Sequence, residues 1–163
     1  MLRNLVVSLI AIVSAPAASA DVSMYESAYA ACGADWIGLT NDDGHIGWSE
    51  TQVMESLAVM YESTGDPLYL DRLAEHADGV LLQTDAARGV VDYRGVSGDC
   101  WQATKYSAHG EPYCFVVHDG RIIYPLIRFV ELVRADGLHA AMTYDAATYG
   151  AKAATYIQAA ADA

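Results

Sequence analysis

The chain has 163 residues, with 21 Asp and Glu against nine Lys and Arg, for a formal net charge of −12 at neutral pH. A surface that acidic repels nucleic acid and anionic lipid, so neither is expected as a partner. With 53 % hydrophobic residues the length suits one domain with a sizeable core.

Arg3, an apolar run over residues 5–13 and then Ala18-Ser19-Ala20 have the layout of a secretory signal peptide, with cleavage expected after Ala20. The run is too short for a permanent anchor, and no second stretch approaches ~18 uninterrupted apolar residues, so no membrane association is expected after cleavage. Cys32 lies beyond Asp21 and Glu26, which argues against lipid attachment. The mature chain, residues 21–163, is therefore expected to be secreted or periplasmic.

Residues 21–35 read as a short helix with Met24, Ala28 and Ala31 on one stripe, and residues 40–44 as a turn-rich loop. Asn41, Asp42 and Asp43 lack the spaced carboxylates and closing Glu of a calcium loop, so calcium is not expected. A helix is predicted from Ser49, an N-cap with Gln52 as its capping-box partner, and Val53, Leu57, Met60 and Tyr61 form its buried stripe. Gly65 ends it. Asp66 caps the next helix, Pro67 takes its first position, and Leu70, Leu73, Ala77, Val80 and Leu81 face inward. A turn this short forces the two helices antiparallel.

Residues 84–118 break the helical period and read as a surface-facing insertion. Within it, residues 89–95 and 113–119 are rich in β-branched and aromatic residues and are predicted to be extended. Cys100 and Cys114 flank an irregular loop and are candidates for a disulfide, the alternative being two buried thiols; Cys32 has no expected partner. A third helix is predicted after Asp119 and Gly120, with Pro125 in or near its first turn, and Ile123, Leu126, Ile127, Val130 and Val133 facing inward. Residues 135–137 turn the chain. A fourth helix is placed from about Thr143, with Ala146, Tyr149, Ala153, Tyr156 and Ile157 on one side.

The two hairpins, residues 53–81 and 122–157, loosely repeat each other around the insertion. The string TGDPLYLDRLAEHADGVL resembles the recurrent hairpin of (α/α) toroid carbohydrate-active proteins: six-hairpin glycosidases, heparinase-like polysaccharide lyases and the C-terminal domains of D-glucuronyl C5-epimerases. The resemblance covers roughly residues 45–160. It implies an all-α fold of antiparallel helical hairpins with a short β-like insertion. Closed toroids hold several more hairpins than these two, so it also implies an incomplete toroid: a fragment of a longer reading frame, or a short homologue that covers its exposed helix faces by self-association. A polysaccharide or oligosaccharide is the implied ligand, and the implied activity is that of a glycoside hydrolase, polysaccharide lyase or uronyl epimerase. A non-catalytic glycan-binding or protein-interaction helical array is the alternative.

Four constellations carry candidate chemistry. Trp48 and Glu50 open the first long helix, where a ring and a carboxyl face a toroid's cleft; a first-turn acid favoured by the helix dipole is the plainer reading. Asp92-Tyr93-Arg94 offers a phenol beside a guanidinium, able to hold a uronate carboxylate and move a proton at C5, or only a surface ion pair. Trp101, Lys105 and Tyr106 offer rings to stack on a sugar and a cation for its acid, or aromatic packing. His118 and Asp119 supply an imidazole that titrates near neutrality and a carboxyl, Asp119 also serving as a possible N-cap. The catalytic candidates are therefore His118, Tyr93, Glu50 and Asp119, with Trp48, Arg94, Trp101, Lys105 and Tyr106 on substrate. Metal-ligand spacings, a GxSxG elbow and phosphate-binding glycine loops are absent, so neither metal nor cofactor is expected.

Overall fold

A computed structural model describes residues 19–163, and most of these are helical. The expected leader, residues 1–20, lies outside the described residues save its last two. Helix α1 (Ser19–Ala28) runs into a π-helical turn (Tyr29–Gly33) and one 3₁₀ turn (Ala34–Trp36). Met24, Ala28 and Ala31 face outward, with Met24 71 % exposed. The docking face is instead built by Tyr25, whose ring meets Tyr69 edge-on at 5.7 Å, and by Glu26, which takes both arms of Arg72 at 2.8 and 3.0 Å.

The helical run that leads into α2 (Thr51–Thr64) starts earlier than Ser49 foretells. A π-helical turn (Ile46–Glu50) leads into it with helical backbone on both sides, so Ser49 caps nothing. Gly65, at φ +67°, closes α2 by donating to Tyr61 O. The Asp66 carboxylate accepts the Leu68 N–H at 3.0 Å, Pro67 occupies the first position, and α3 (Pro67–Leu81) folds back along α2. Met54, Leu57, Ala58 and Tyr61 face Leu70, Leu73, Ala77 and Val80 in the shared core.

The insertion holds a short helix, α4 (Asp85–Arg88), and a two-stranded antiparallel ribbon, β1 (Gln102–Ala103) with β2 (Tyr113–Cys114). Residues 89–95, predicted extended, instead form a turn in which Asp92 Oδ1 takes the N–H groups of Arg94 and Val96. Strand β2 ends at Cys114, because residues 116–119 are already helical. Cys100 and Cys114 are disulfide-bonded, with Cα atoms 5.9 Å apart. The insertion does not ride on the surface. Trp101, Gln102 and Ala103 are buried, and the Trp101 indole fills the space beside α3, donating to Val80 O at 2.8 Å.

Helix α5 (Val116–Ala135) starts before Asp119, not after Gly120, and Phe115 is its N-cap without a side-chain bond. Pro125 sits buried in mid-helix, where it offers no N–H to the Arg121 carbonyl. The inward face centres on Ile122, Leu126, Phe129, Val130 and Val133, with Ile123 and Ile127 at its margin. Helix α6 (Tyr149–Asp162) starts later than Thr143. Asp145 Oδ1 accepts both the Thr143 hydroxyl and the Ala147 N–H, so local side-chain bonds win a turn from the helix there. Thr148 then caps α6 through Ala151 N–H.

Packing of α6 on α5, and of both on the α2–α3 pair, completes the core. Acidic residues of α3 fix the Ala-rich α6 in place. Tyr149 donates to Asp71 and Tyr144 to Asp78, each at 2.7 Å, and Lys152 lies between Asp78 and Asp145.

Candidate functional site

Glycines allow the site to assemble. At Gly44, φ +83°, an added Cβ would lie 2.5 Å from the Tyr106 ring and 2.9 Å from Trp48; at Gly47 it would lie 2.9 Å from the His118 ring. Bare backbone thus lets the loop over residues 41–47 close on Tyr106 of the insertion at Gly44 and on α5 at Gly47. Asn41, fully buried, locks the closure. Its Nδ2 donates to Trp101 O at 2.8 Å and to His118 Nδ1 at 3.1 Å, while its Oδ1 accepts the Gly47 N–H at 3.0 Å.

That pattern fixes the state of His118. Because Nδ1 accepts from an amide, the ring proton sits on Nε2. Burial holds the imidazole below its ordinary pKa, so at neutral pH His118 is uncharged. It offers one N–H and no free basic nitrogen. Asp119 behaves in the opposite sense: burial raises its carboxyl to about 6, only partly offset by a long bond of 3.4 Å from the Trp101 N–H.

Around His118 the rings form a continuous stripe. Trp48 and Tyr106 each meet its ring edge-on at 5.5 Å, and Phe115 lies 5.3 Å away. Phe115 passes the chain to Tyr113 at 5.9 Å, and Tyr113 stacks on Tyr93 at 4.0 Å. Trp48, Tyr106 and Tyr93 are 39, 48 and 50 % exposed. Each of these three rings carries its own cation: Arg121 at 5.2 Å from Trp48, Lys105 at 5.7 Å from Tyr106, and Arg94 at 5.7 Å from Tyr93. Arg121 is held by the Gly47 carbonyl at 2.7 Å and the Thr51 hydroxyl at 3.4 Å, both uncharged, and no carboxylate pairs with it among the described residues. Arg94 pairs with Asp92.

The predicted residues divide accordingly. Trp48, Tyr93, Arg94, Lys105, Tyr106 and His118 meet on this stripe. Trp101 is fully buried in the core and presents no face to a ligand, because its indole N–H is used by Val80 O. Asp119 is no N-cap but a first-turn residue of α5, turned toward Trp101. Glu50 is buried and turned toward His76, with which it pairs. Asn41, Tyr113, Phe115 and Arg121 complete the stripe, and only the spacing of Gly44 and Gly47 about Trp48 hinted at the loop closure in the sequence. A groove of about 490 Å3 lies elsewhere, between the α3 end and α6, lined among others by Thr84, Asp99, Thr155 and Gln158.

A carboxylate oxygen of Asp85 approaches both sulfurs of the Cys100–Cys114 bridge, but sulfurs bonded to each other are not thiolate ligands, and no metal centre follows. Comparison with protein-family models, with curated proteins and with solved structures finds no match to this chain.

Proposed function

We propose that this is an exported carbohydrate-active protein of (α/α)-toroid type whose aromatic stripe binds an acidic polysaccharide. The observation that carries the reading is the pairing of every half-exposed ring on the stripe with a cation, in a chain whose net charge is −12. Flat rings at successive positions match the apolar faces of sugar residues, and the cations beside Trp48 and Tyr106 match carboxylates, Arg94 being already paired with Asp92. Screening makes the local cations decisive: at ~0.1 M salt the Debye length is about 10 Å, so the distant acidic surface contributes little to a ligand seated on the stripe.

Affinity electrophoresis in gels containing polygalacturonate, with a neutral β-glucan as control, tests the proposal. Retardation in the polyuronate gel alone is expected, weakening with salt. Trp48→Ala and Lys105→Ala should each reduce affinity about tenfold, equivalent to ~1.4 kcal/mol. Equal mobility in both gels at low salt would refute it.

Catalysis on the same polymer is the second reading. It draws on the Tyr93–Arg94 pair, since Asp119, though burial raises its carboxyl to about 6, is turned toward Trp101 and not toward the stripe. A glycosidase needs two carboxyls about 5–10 Å apart across its substrate, and Glu50 is committed to His76. New reducing ends or the ultraviolet absorbance of unsaturated uronates after incubation would favour this reading over binding alone.

A further inference from the structure

We infer that Arg121 is the specificity residue of the stripe: it reads the free carboxylate of a uronate stacked on Trp48 and discriminates against the methyl ester. This selectivity rests on the stripe being the ligand face proposed above. It goes beyond a general attraction for acidic polymers, because it gives one side chain the task of telling a carboxylate from its ester.

Carboxylates outnumber cations in this chain, and they claim most of its arginines. Arg72, Arg88, Arg94 and Arg128 each pair with an acidic side chain. Arg121 pairs with none among the described residues, yet its position is fixed. Its Nε–H donates to Gly47 O at 2.7 Å, and Nη2 donates to Thr51 Oγ1 at 3.4 Å. The buried Thr51 hydroxyl in turn donates to Gly47 O at 3.1 Å, which closes a ring of three bonds. Every acceptor in that ring is neutral, so the guanidinium is oriented without being neutralised. Gly47 permits the arrangement, since a Cβ there would lie 2.9 Å from the His118 ring.

The bonds already made decide which edge of the guanidinium is left for a ligand. Nε and Nη2 form the edge that faces the protein. Nη1 and the second N–H of Nη2 form the other edge, which meets no acceptor among the described residues. Two parallel N–H groups in one plane match the two oxygens of a carboxylate, and bonds to an ionised acceptor are roughly twice as strong as neutral ones. Esterification removes the charge and places a methyl group on one of the two oxygens. Arg121 is partly exposed, and its guanidinium carbon lies 5.2 Å from the centre of the Trp48 ring, itself 39 % exposed. A pyranose stacked on that indole carries its C5 carboxylate at the ring edge, so stacking and pairing can be satisfied by one sugar residue. Lys105, beside Tyr106, is a compact charge with no such plane and attracts anions without reading their shape.

Affinity electrophoresis in gels of polygalacturonate, of the same polymer methyl-esterified, and of neutral β-glucan separates the outcomes. The parent chain should bind polygalacturonate about tenfold more tightly than the ester, a comparison that needs no variant. Arg121→Lys keeps the charge but not the fork, and its affinity for polygalacturonate should fall about tenfold. Arg134→Lys, the same exchange at an exposed position near the other end of α5, should leave binding unchanged. Circular dichroism and the urea midpoint report separately whether Arg121→Lys is folded. Polygalacturonate bound as tightly by folded Arg121→Lys as by the parent, or ester bound as tightly as acid, overturns the inference and leaves the stripe standing as a binding face. A parent chain retarded in none of the gels overturns both.

Discussion

Replacing Trp101 by Phe separates the core from the proposed ligand surface. The indole is fully buried, and its Nε1–H is the donor to the Val80 carbonyl. Phe leaves that carbonyl without its partner, a loss of about 1–3 kcal/mol. It also removes part of the ring volume, so a total near 2–4 kcal/mol is expected, whereas Ala would lose ~3–5 kcal/mol through its cavity. A domain of this size has roughly 5–15 kcal/mol in hand, so the Phe variant should remain folded. Urea unfolding followed by far-ultraviolet circular dichroism is the assay. With a slope of about 2 kcal/mol per molar urea, the midpoint should fall by ~1–2 M. Polyuronate retention of the folded variant should equal that of the parent chain, since Trp101 touches no ligand in this arrangement. An unchanged midpoint together with lost retention would refute the reasoning, because it would return Trp101 to the binding face.

Two further outcomes follow from the same contacts. Burial lifts the Asp119 carboxyl to about 6 from an ordinary 3.8 in the unfolded chain, so the folded state holds the extra proton between those values; its contribution to stability is full below ~4 and is lost as pH rises to ~6. Thermal unfolding at pH 4.5 and 7 should therefore show Asp119→Asn gaining on the parent at the higher pH, and a constant difference between the two would contradict the burial. Cys100 and Cys114, 14 residues apart, close a loop whose cross-link contributes about 3 kcal/mol by chain entropy, so the double Cys→Ala variant should unfold at correspondingly lower urea.

Local chemistry made the α2–α3 hairpin legible in the sequence. Gly65 supplies the left-handed residue, Asp66 the cap and Pro67 the first helical position, and each acts within a few residues of itself. Helix starts were less legible wherever several local signals compete. Ser49 has the chemistry of an N-cap, but the chain is already helical there because residues 46–50 pack as a π turn against the core. Asp119 likewise has capping chemistry, yet α5 begins three residues before it, at Val116. At the start of α6 the reverse holds: Asp145 ties up the Thr143 hydroxyl and the Ala147 N–H, delaying the helix.

The sequence by itself determined that the chain is mostly helical, where its first hairpin turns, and which rings and cations were available, since these depend on near neighbours and on residue type. Only the tertiary structure decided which of them meet. Trp48 and Trp101 are alike in sequence terms, yet one is 39 % exposed and the other fully buried, and no spacing rule distinguishes them. Asn41 bonds to Trp101 and His118 across separations of 60 and 77 residues, and Glu50 finds His76 across 26. Contacts of that range are set by the closing of the whole core, in which each side chain takes the space that its distant neighbours leave.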